Sequence, residues 1–447
     1  MLGSKIYCSG WKNSDSLGQV KRGAKFFSDR YPVPGQQFEY AHDDIGNRRT
    51  ARAGGDENGA NLRSASYSPN NLNQYTSREV PGAVDVLGLA MGDNTSLTVN
   101  SAAPWRKGEY FRKEVSVTNS SVAVWQAIAV AATGETTVNG NVFVPKTPEN
   151  FTYEDDGNLT QDGRWDYTWD AENRLVKLVS KSGAPSGSEK AVAFTHDGKS
   201  RRISKTVSNW VSGAWQFEST NRFVYDGWNL IAVLTSSSAI QSAFVWGLDL
   251  SGTLQGAGGV GGLLMVTNSG NGAHFCAYDG NGNVAALVKA SDGTMSANYE
   301  YGPFGEALRV TGTMGKANPF RFSTKYQDDE SDFLYYGYRS YNPNTGRWLN
   351  RDPINELGFQ ILTHNRRPLN RGAEKNLFGF VQNDPLDSYD LLGLVESSLT
   401  PDEEKSCKDN IERALNILRN ALKGKCANCD SFFKRSPRCK NALVKCL

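Results

Sequence analysis

Tyr167-Thr168-Trp169-Asp170-Ala171-Glu172-Asn173-Arg174-Leu175 alternates aromatic and polar side chains, breaks at an acidic, turn-forming stretch, and resumes with Arg174 and Leu175. The alternation is that of a half-buried strand, and the break is that of a tight reversal. Degenerate copies recur as Phe38-Glu39-Tyr40-Ala41-His42-Asp43-Asp44-Ile45-Gly46-Asn47-Arg48 and Phe151-Thr152-Tyr153-Glu154-Asp155-Asp156-Gly157-Asn158-Leu159. Others are Phe194-Thr195-His196-Asp197-Gly198-Lys199, Phe223-Val224-Tyr225-Asp226-Gly227-Trp228-Asn229-Leu230 and Tyr278-Asp279-Gly280-Asn281-Gly282-Asn283-Val284. Each copy predicts one β-hairpin, with Asp-Gly or Gly-Asn supplying the positive-φ turn residues. Repeats of one such unit bury their apolar faces only by stacking on neighbours, which predicts a long coiling antiparallel sheet. Residues 150–350 are therefore expected to be mostly strand, with hardly any helix. Residues 55–145 carry little of the phrase and are expected to form divergent hairpins or an inserted β unit.

Composition agrees. Across 447 residues, 45 Gly, 18 Tyr, 10 Trp and 20 Phe suit short, aromatic-rich strands punctuated by turns rather than long helices. The formal net charge of +2 gives no general signal for nucleic acid or an anionic membrane. The longest apolar run, Val122 to Ala132, is eleven residues and contains Gln126, too short for the ~20 residues of a bilayer span. It reads as a buried strand or short helix. The first residues, Met1 to Cys8, lack the apolar region of a signal peptide. The expectation is a protein that is cytoplasmic at first and reaches the outside or the cell surface, if it does, by another route.

Toward the end the pattern sharpens. Tyr335-Tyr336-Gly337-Tyr338-Arg339-Ser340-Tyr341 leads through Gly346-Arg347-Trp348-Leu349 to Arg351-Asp352-Pro353. The chain then reaches Asn383-Asp384-Pro385 and ends this section at Asp390-Leu391-Leu392-Gly393-Leu394. This run strongly resembles the core module of RHS-repeat (YD-repeat) proteins of the polymorphic-toxin type. The resemblance is tight over residues 278–394 and loose over 38–250. It implies an all-β shell of repeated antiparallel hairpins and a chain that cuts itself after the terminal Gly-hydrophobic pair, here between Leu394 and Val395. Pro385, Asp390, Leu392, Gly393 and Leu394 match the family's terminal motif, while Leu391 stands where the family has Pro. Proline would fix φ on the approach to the bond.

The resemblance implies Asp352 and Asp390 as the catalytic carboxylates, with Arg351 in support and Asp384 in reserve. Two carboxylates suit water-activated peptide hydrolysis, because close together they cannot both ionise and one remains an acid while the other acts as base. The competing reading makes both plain turn residues, since Asp-Pro and Asp-x-x-Gly favour turns.

Other motifs reduce to structure. Gly256-Ala257-Gly258-Gly259-Val260-Gly261 matches a dinucleotide fingerprint in form but lacks the strand-to-helix setting, and reads as a turn into a strand. Asp279-Gly280-Asn281-Gly282-Asn283 imitates a calcium loop, yet its twelfth position is Ala290 and no helix flanks it, so a hairpin turn is expected. His42, His196, His274 and His364 are scattered and form no zinc-hydrolase motif.

Composition changes after Leu394. Residues 395–447 hold eleven Lys or Arg against seven Asp or Glu, and five of the chain's seven cysteines. Thr400-Pro401-Asp402-Glu403 predicts a helix start, and Cys407, Ile411, Leu415, Leu418 and Leu422 form one apolar stripe behind it. Cys426, Cys429, Cys439 and Cys446 suit a zinc site in their first pair, with disulfides as the rival in an exported peptide. No cofactor is expected elsewhere.

The reading is an all-β chain with three parts. Residues 1–250 form degenerate repeats, 251–394 form the core with its cleavage motif, and 395–447 form a small α-helical, Cys-rich extension. The resemblance implies a carrier that encloses and releases its own C-terminal tail as a toxin-like passenger, with an export machine and an immunity protein as partners. The alternatives are a non-enzymatic surface or wall-associated protein contacting glycans or another cell, and a truncated remnant of a longer relative.

Overall fold

The computed structural model describes residues 9–90, 92, 96–353, 376–394 and 396–398. Among these the chain is nearly all antiparallel β, with short 3-10 turns such as Phe322–Thr324 and no α-helix. It divides into two units. The first comprises Met1–Asn221, Tyr301–Arg309 and Arg339–Pro385, and the second Arg222–Glu300, Val310–Tyr338 and Leu386–Leu447.

In the first unit, strands Ser9–Ser14, Val20–Phe26, Pro32–His42, Arg48–Gly54, Leu62–Pro69 and Tyr75–Arg78 pair in chain order. Glu149–Asn150 then adds to Tyr75–Arg78, so the chain between them is an insertion. That insertion is two three-stranded sheets, one around Tyr110–Ser116 and one around Val124–Ala132. The repeat-poor region is thus part regular hairpin (62–78) and part inserted β unit (83–144). The apolar run at 122–132 is a strand, but it is half-buried rather than buried, and Val122 is exposed. It covers a small core of Leu97, Val99 and Phe111 through Ile128 and Val130. In the second unit, Asn229–Leu234, Ile240–Trp246, Leu263–Asn268, Gly272–Tyr278, Val284–Lys289 and Met295–Tyr301 again pair consecutively.

The turns explain the acidic residue of the repeat. The Oδ1 of Asp170 accepts the backbone N–H of Glu172 and of Arg174, both at 3.0 Å. Asp43, Asp197 and Asp279 do the same for the residues two and four positions on. One carboxylate therefore satisfies two amides in a three-residue loop closed by a bulge. The positive φ falls three residues after the acid, at Gly46, Asn173, Ser200 and Gly282. This corrects the expectation from Asp-Gly: Gly198 and Gly280 are not the positive-φ residues, whereas Ser200 (φ 64°) and Gly282 (φ 73°) are. The glycine directly after an aspartate does take that role at Gly157 (φ 84°), which is also three residues after the turn's acid Glu154, and at Gly227 (φ 58°) in the shorter turn Asp226–Asn229. Asp279 is thereby spent on its hairpin turn, its second oxygen accepting Asn283 Nδ2 at 2.8 Å.

The Gly-Arg-Trp-Leu motif anchors the first unit. Tyr341, Trp348 and Phe380 are almost fully buried, with ring centroids 4.0 Å apart for Tyr341–Phe380 and 5.4 Å for Trp348–Phe380. Arg347 donates to Asn47 Oδ1 at 2.7 Å and to the Asn73 carbonyl at 2.8 Å, and lies over the Tyr75 ring. A motif near residue 347 thus ties down the turns of the early hairpins.

Asp162 gives this unit a pH dependence. Burial, with the Glu149 carboxylate beside it, raises its pKa to about 6, although Tyr167 Oη and two backbone amides donate to it. The folded carboxyl lies above its ordinary value, so between about pH 4 and 6 the folded state holds a proton the unfolded chain has released. This contribution therefore stabilises on acidification and is lost as pH rises through about 6. Denaturation midpoints at pH 5 and 7 are expected to show a larger gain at pH 5 in the wild type than in Asp162→Asn. Equal gains in both would remove the assignment.

Candidate functional site

The residues leading to the Leu394–Val395 bond are pinned one by one within the second unit. Strand Ser388–Asp390 carries the turn that ends at Leu394, and Glu396–Ser398 pairs back on it, with Asp390 opposite Glu396. Asp390 is buried, and its Oδ1 accepts the N–H of Gly393 at 2.6 Å and of Leu394 at 3.0 Å. Gly393 takes φ +80°, the left-handed region that a glycine enters without strain. The Leu392 carbonyl accepts the N–H of Tyr338 at 3.1 Å. The Leu391 carbonyl accepts Lys325 Nζ at 2.6 Å. Val395 lies outside the described residues.

Beneath the turn runs the Gly-rich loop. Gly258 has φ +62°, and a Cβ built there would sit 1.9 Å from the Leu391 carbonyl oxygen. Glycine at 258 is required by this close approach of two backbones. The loop is shaped by Asp249, whose Oδ2 accepts the N–H of Ala257 at 2.7 Å and of Gly259 at 3.1 Å. Leu250, Ala257, Val260 and Tyr389 form the apolar floor, and Leu391 packs against it. The fingerprint-like glycines thus form a turn into strand Leu263–Asn268, as the missing helix implied.

Lys325 closes the site. Its side chain is buried, and Nζ donates to the Gly258 carbonyl at 2.8 Å as well as to Leu391. Burial lowers its pKa to about 8, against the opposing pull of the Asp390 and Asp249 carboxylates. The ammonium lies 5.1 Å from the Tyr336 ring centroid. A cavity of about 40 Å³ beside it is lined by Trp228, Trp246, Phe320, Tyr335 and Leu392, among others. The Tyr-Tyr-Gly-Tyr motif therefore has a local task. Tyr336 flanks the lysine, Gly337 leaves room for Trp228, whose ring would lie 3.1 Å from a Cβ built there, and Tyr338 holds Leu392.

The other expected residues fall in the first unit. Asp352 is buried and ion-paired with Arg339, Nη2 to Oδ2 2.7 Å, with both side chains 3% exposed or less. Arg339 also stacks over Trp348, 4.1 Å from the ring centroid, and the Asp352 N–H donates to the Leu377 carbonyl. The adjacent Arg351 lies instead over Gly157. Asp384 is paired with Lys12 at 2.5 Å. Asp352 thus belongs to the first unit and Asp390 to the second. Lys325, Arg339 and Asp249 were not singled out from sequence. Arg339 stands in the quoted motif, and no spacing signal marks the other two. Cys426, Cys429, Cys439 and Cys446, and the helix expected from Thr400, lie outside the described residues. Among the described residues no helix is long and apolar enough to cross a membrane.

Comparison with known proteins gives the wider setting. No family model matches the chain. It is 30% identical over 217 residues to the tRNA3(Ser)-specific nuclease WapA of Bacillus spizizenii, covering 48% of this chain and 8% of that protein. It is 25% identical over 234 residues to the toxin subunit YenC1 of Yersinia entomophaga, covering 51% and 22%. Among solved structures, a crystal structure of TcdB2-TccC3 matches over 87% of this chain and 19% of that one, at 16% identity and a TM-score of 0.39. The chain thus spans less than a quarter of the length of each of these relatives. These sequence relatives, among them a nuclease and a toxin subunit, agree with the resemblance of the repeat and core motifs to RHS-repeat (YD-repeat) proteins of the polymorphic-toxin type.

Proposed function

We propose that this chain is the carrier portion of a polymorphic toxin, and that it hydrolyses its own Leu394–Val395 bond to free residues 395–447. The observation that carries this reading is the turn before the bond. Asp390, Tyr338 and Lys325 each hold a different backbone group of residues 391–394, directly ahead of the break in composition. A plain surface turn needs no such support.

The proposed chemistry adds one water across the peptide. One carboxyl takes a proton from water, which attacks the Leu394 carbonyl carbon, and the other gives a proton to the departing Val395 nitrogen. The products are a Leu394 carboxylate and a Val395 amine, and no further reactant is needed. Asp352 and Asp390 are the residues proposed for these roles, with Arg351 in support and Asp384 in reserve. The relatives' names, a tRNA-specific nuclease and a toxin subunit, favour a toxin-like passenger. Enclosure of the passenger, export, an immunity partner, and zinc or disulfides at the tail cysteines belong to the same proposal.

Intact mass of the folded full chain tests it. The expected result is two products, residues 1–394 and a 53-residue peptide starting at Val395. A folded chain that remains whole would overturn self-cleavage. A second reading, a surface protein contacting glycans, is favoured by one observation. Trp210 and Trp215, each 41% exposed, pair at 5.1 Å on one hairpin with exposed Phe217.

A further inference from the structure

We propose that Lys325 is the positioning residue for self-cleavage: by holding the Leu391 carbonyl against the Gly-rich loop, it fixes the turn that presents the Leu394–Val395 bond. The inference rests on the self-cleavage reading and adds to it a residue that the cleavage motif itself does not contain.

Residues 391–394 form an irregular turn, which makes no ladder of its own to hold it in place. Asp390 secures the turn's N–H groups at Gly393 and Leu394. Its carbonyl groups need donors, and Tyr338 N–H supplies one, for Leu392. Lys325 supplies the other, and its second bond, to the Gly258 carbonyl, ties the turn to the loop below. The fit at that point leaves no slack, since Gly258 has no room for a Cβ beneath the Leu391 oxygen. A buried ammonium with two short carbonyl acceptors is stronger and more directional than a neutral donor.

The lysine also sits in a balanced charge environment. The Asp390 carboxylate on the turn's strand and the Asp249 carboxylate under the Gly-rich loop both favour its charged form, and the Tyr336 ring flanks it. Tyr336 is held far above its ordinary pKa by burial and stays neutral. Lys325 is therefore the group in this setting that changes charge near pH 8. Loss of its proton removes the ionic strength of both carbonyl bonds and the countercharge beside Asp390. The bland reading is a lysine satisfied in the core with no bearing on the bond, which predicts no matching pH dependence of cleavage.

The test follows the fraction of full chain cleaved, by intact mass, from pH 6 to 10 in wild type, Lys325→Met and Lys325→Arg. In the wild type the rate is expected to hold steady to about pH 8 and then fall about tenfold per unit. Lys325→Met, which fills the same buried space without the charge, is expected to cleave ten- to a hundredfold more slowly at pH 7 and to lose the alkaline fall. Lys325→Arg is expected to restore part of the rate and move the fall to higher pH. A Lys325→Met chain cleaving at the wild-type rate with the wild-type profile overturns the proposal. A wild-type rate that is flat from pH 7 to 10 does so too, and needs no variant to fold. Wild-type chain that never cleaves overturns the self-cleavage reading instead, and this outcome is distinct from both.

Discussion

Asp390→Asn is expected to stop self-cleavage while leaving the second unit folded. The two consequences separate because the carboxylate serves two purposes. Its Oδ1 accepts the N–H groups of Gly393 and Leu394, and an asparagine oxygen accepts the same two bonds in the same place. The amide cannot exchange a proton with water or with the departing nitrogen, so the acid–base contribution, typically ~10² to 10⁴-fold in rate, is removed. Intact mass should show uncleaved chain over times in which the wild type is fully cut. Asp390→Ala should lose cleavage and the turn together, and its denaturation midpoint should fall below that of Asp390→Asn. Cleavage of Asp390→Asn at the wild-type rate would reduce Asp390 to a turn residue. Asp352→Asn is a less clean probe. It leaves the Arg339 guanidinium buried without its partner, a change that costs about 3–5 kcal/mol for a pair this enclosed. Stability must therefore be measured beside its cleavage.

How far the sequence could be read depends on the distance over which each feature is determined. The hairpins were legible because an aromatic strand, an acid and a turn fit within ten residues. The task of Asp170 or Asp197 is discharged two and four positions away. The exact turn residue was legible in part: the glycine of the Gly-Asn steps at Gly46, Gly157 and Gly282 holds the left-handed position three residues past the acid, but after Asp197-Gly198 that position falls on Ser200. The core motif was recognised as a string of letters, yet its internal pairing was not. Arg351 precedes Asp352, but Arg339, on the far side of the Ser340–Asn342 and Arg347–Trp348 hairpin, is the residue that reaches the carboxylate. Lys325 was invisible to spacing arguments, since its acceptor lies 66 residues on and a lysine in a strand-rich segment reads as solvent-facing. Only the fold brings its stem into the core and its ammonium back to Leu391.

The same non-local logic makes Gly258→Ala the most damaging single-methyl change expected in the second unit. From sequence, Gly258 is one glycine among several in a flexible-looking loop. In the fold its missing side chain is occupied by the Leu391 backbone, whose carbonyl carbon and oxygen would lie 2.6 and 1.9 Å from a new Cβ. Contacts below 3.0 Å are not sustained by real Cβ atoms, so the Leu391 oxygen must retreat by about an ångström. That movement breaks its 2.6 Å bond with Lys325 and leaves a buried ammonium with one carbonyl. Losing a hydrogen bond to a charged donor costs about 1.5–3 kcal/mol. Placing alanine at φ +62° adds about 1–2 kcal/mol. The control is Gly293→Ala, where φ is +75° but nothing lies within 4 Å of the new Cβ, so only the conformational part applies. Urea midpoints should therefore fall at least twice as far for Gly258→Ala as for Gly293→Ala. Cleavage should drop sharply in the first and stay at the wild-type rate in the second. Matching behaviour of the two variants would mean that the Gly-rich loop is a turn like any other and does not seat the residues before the bond.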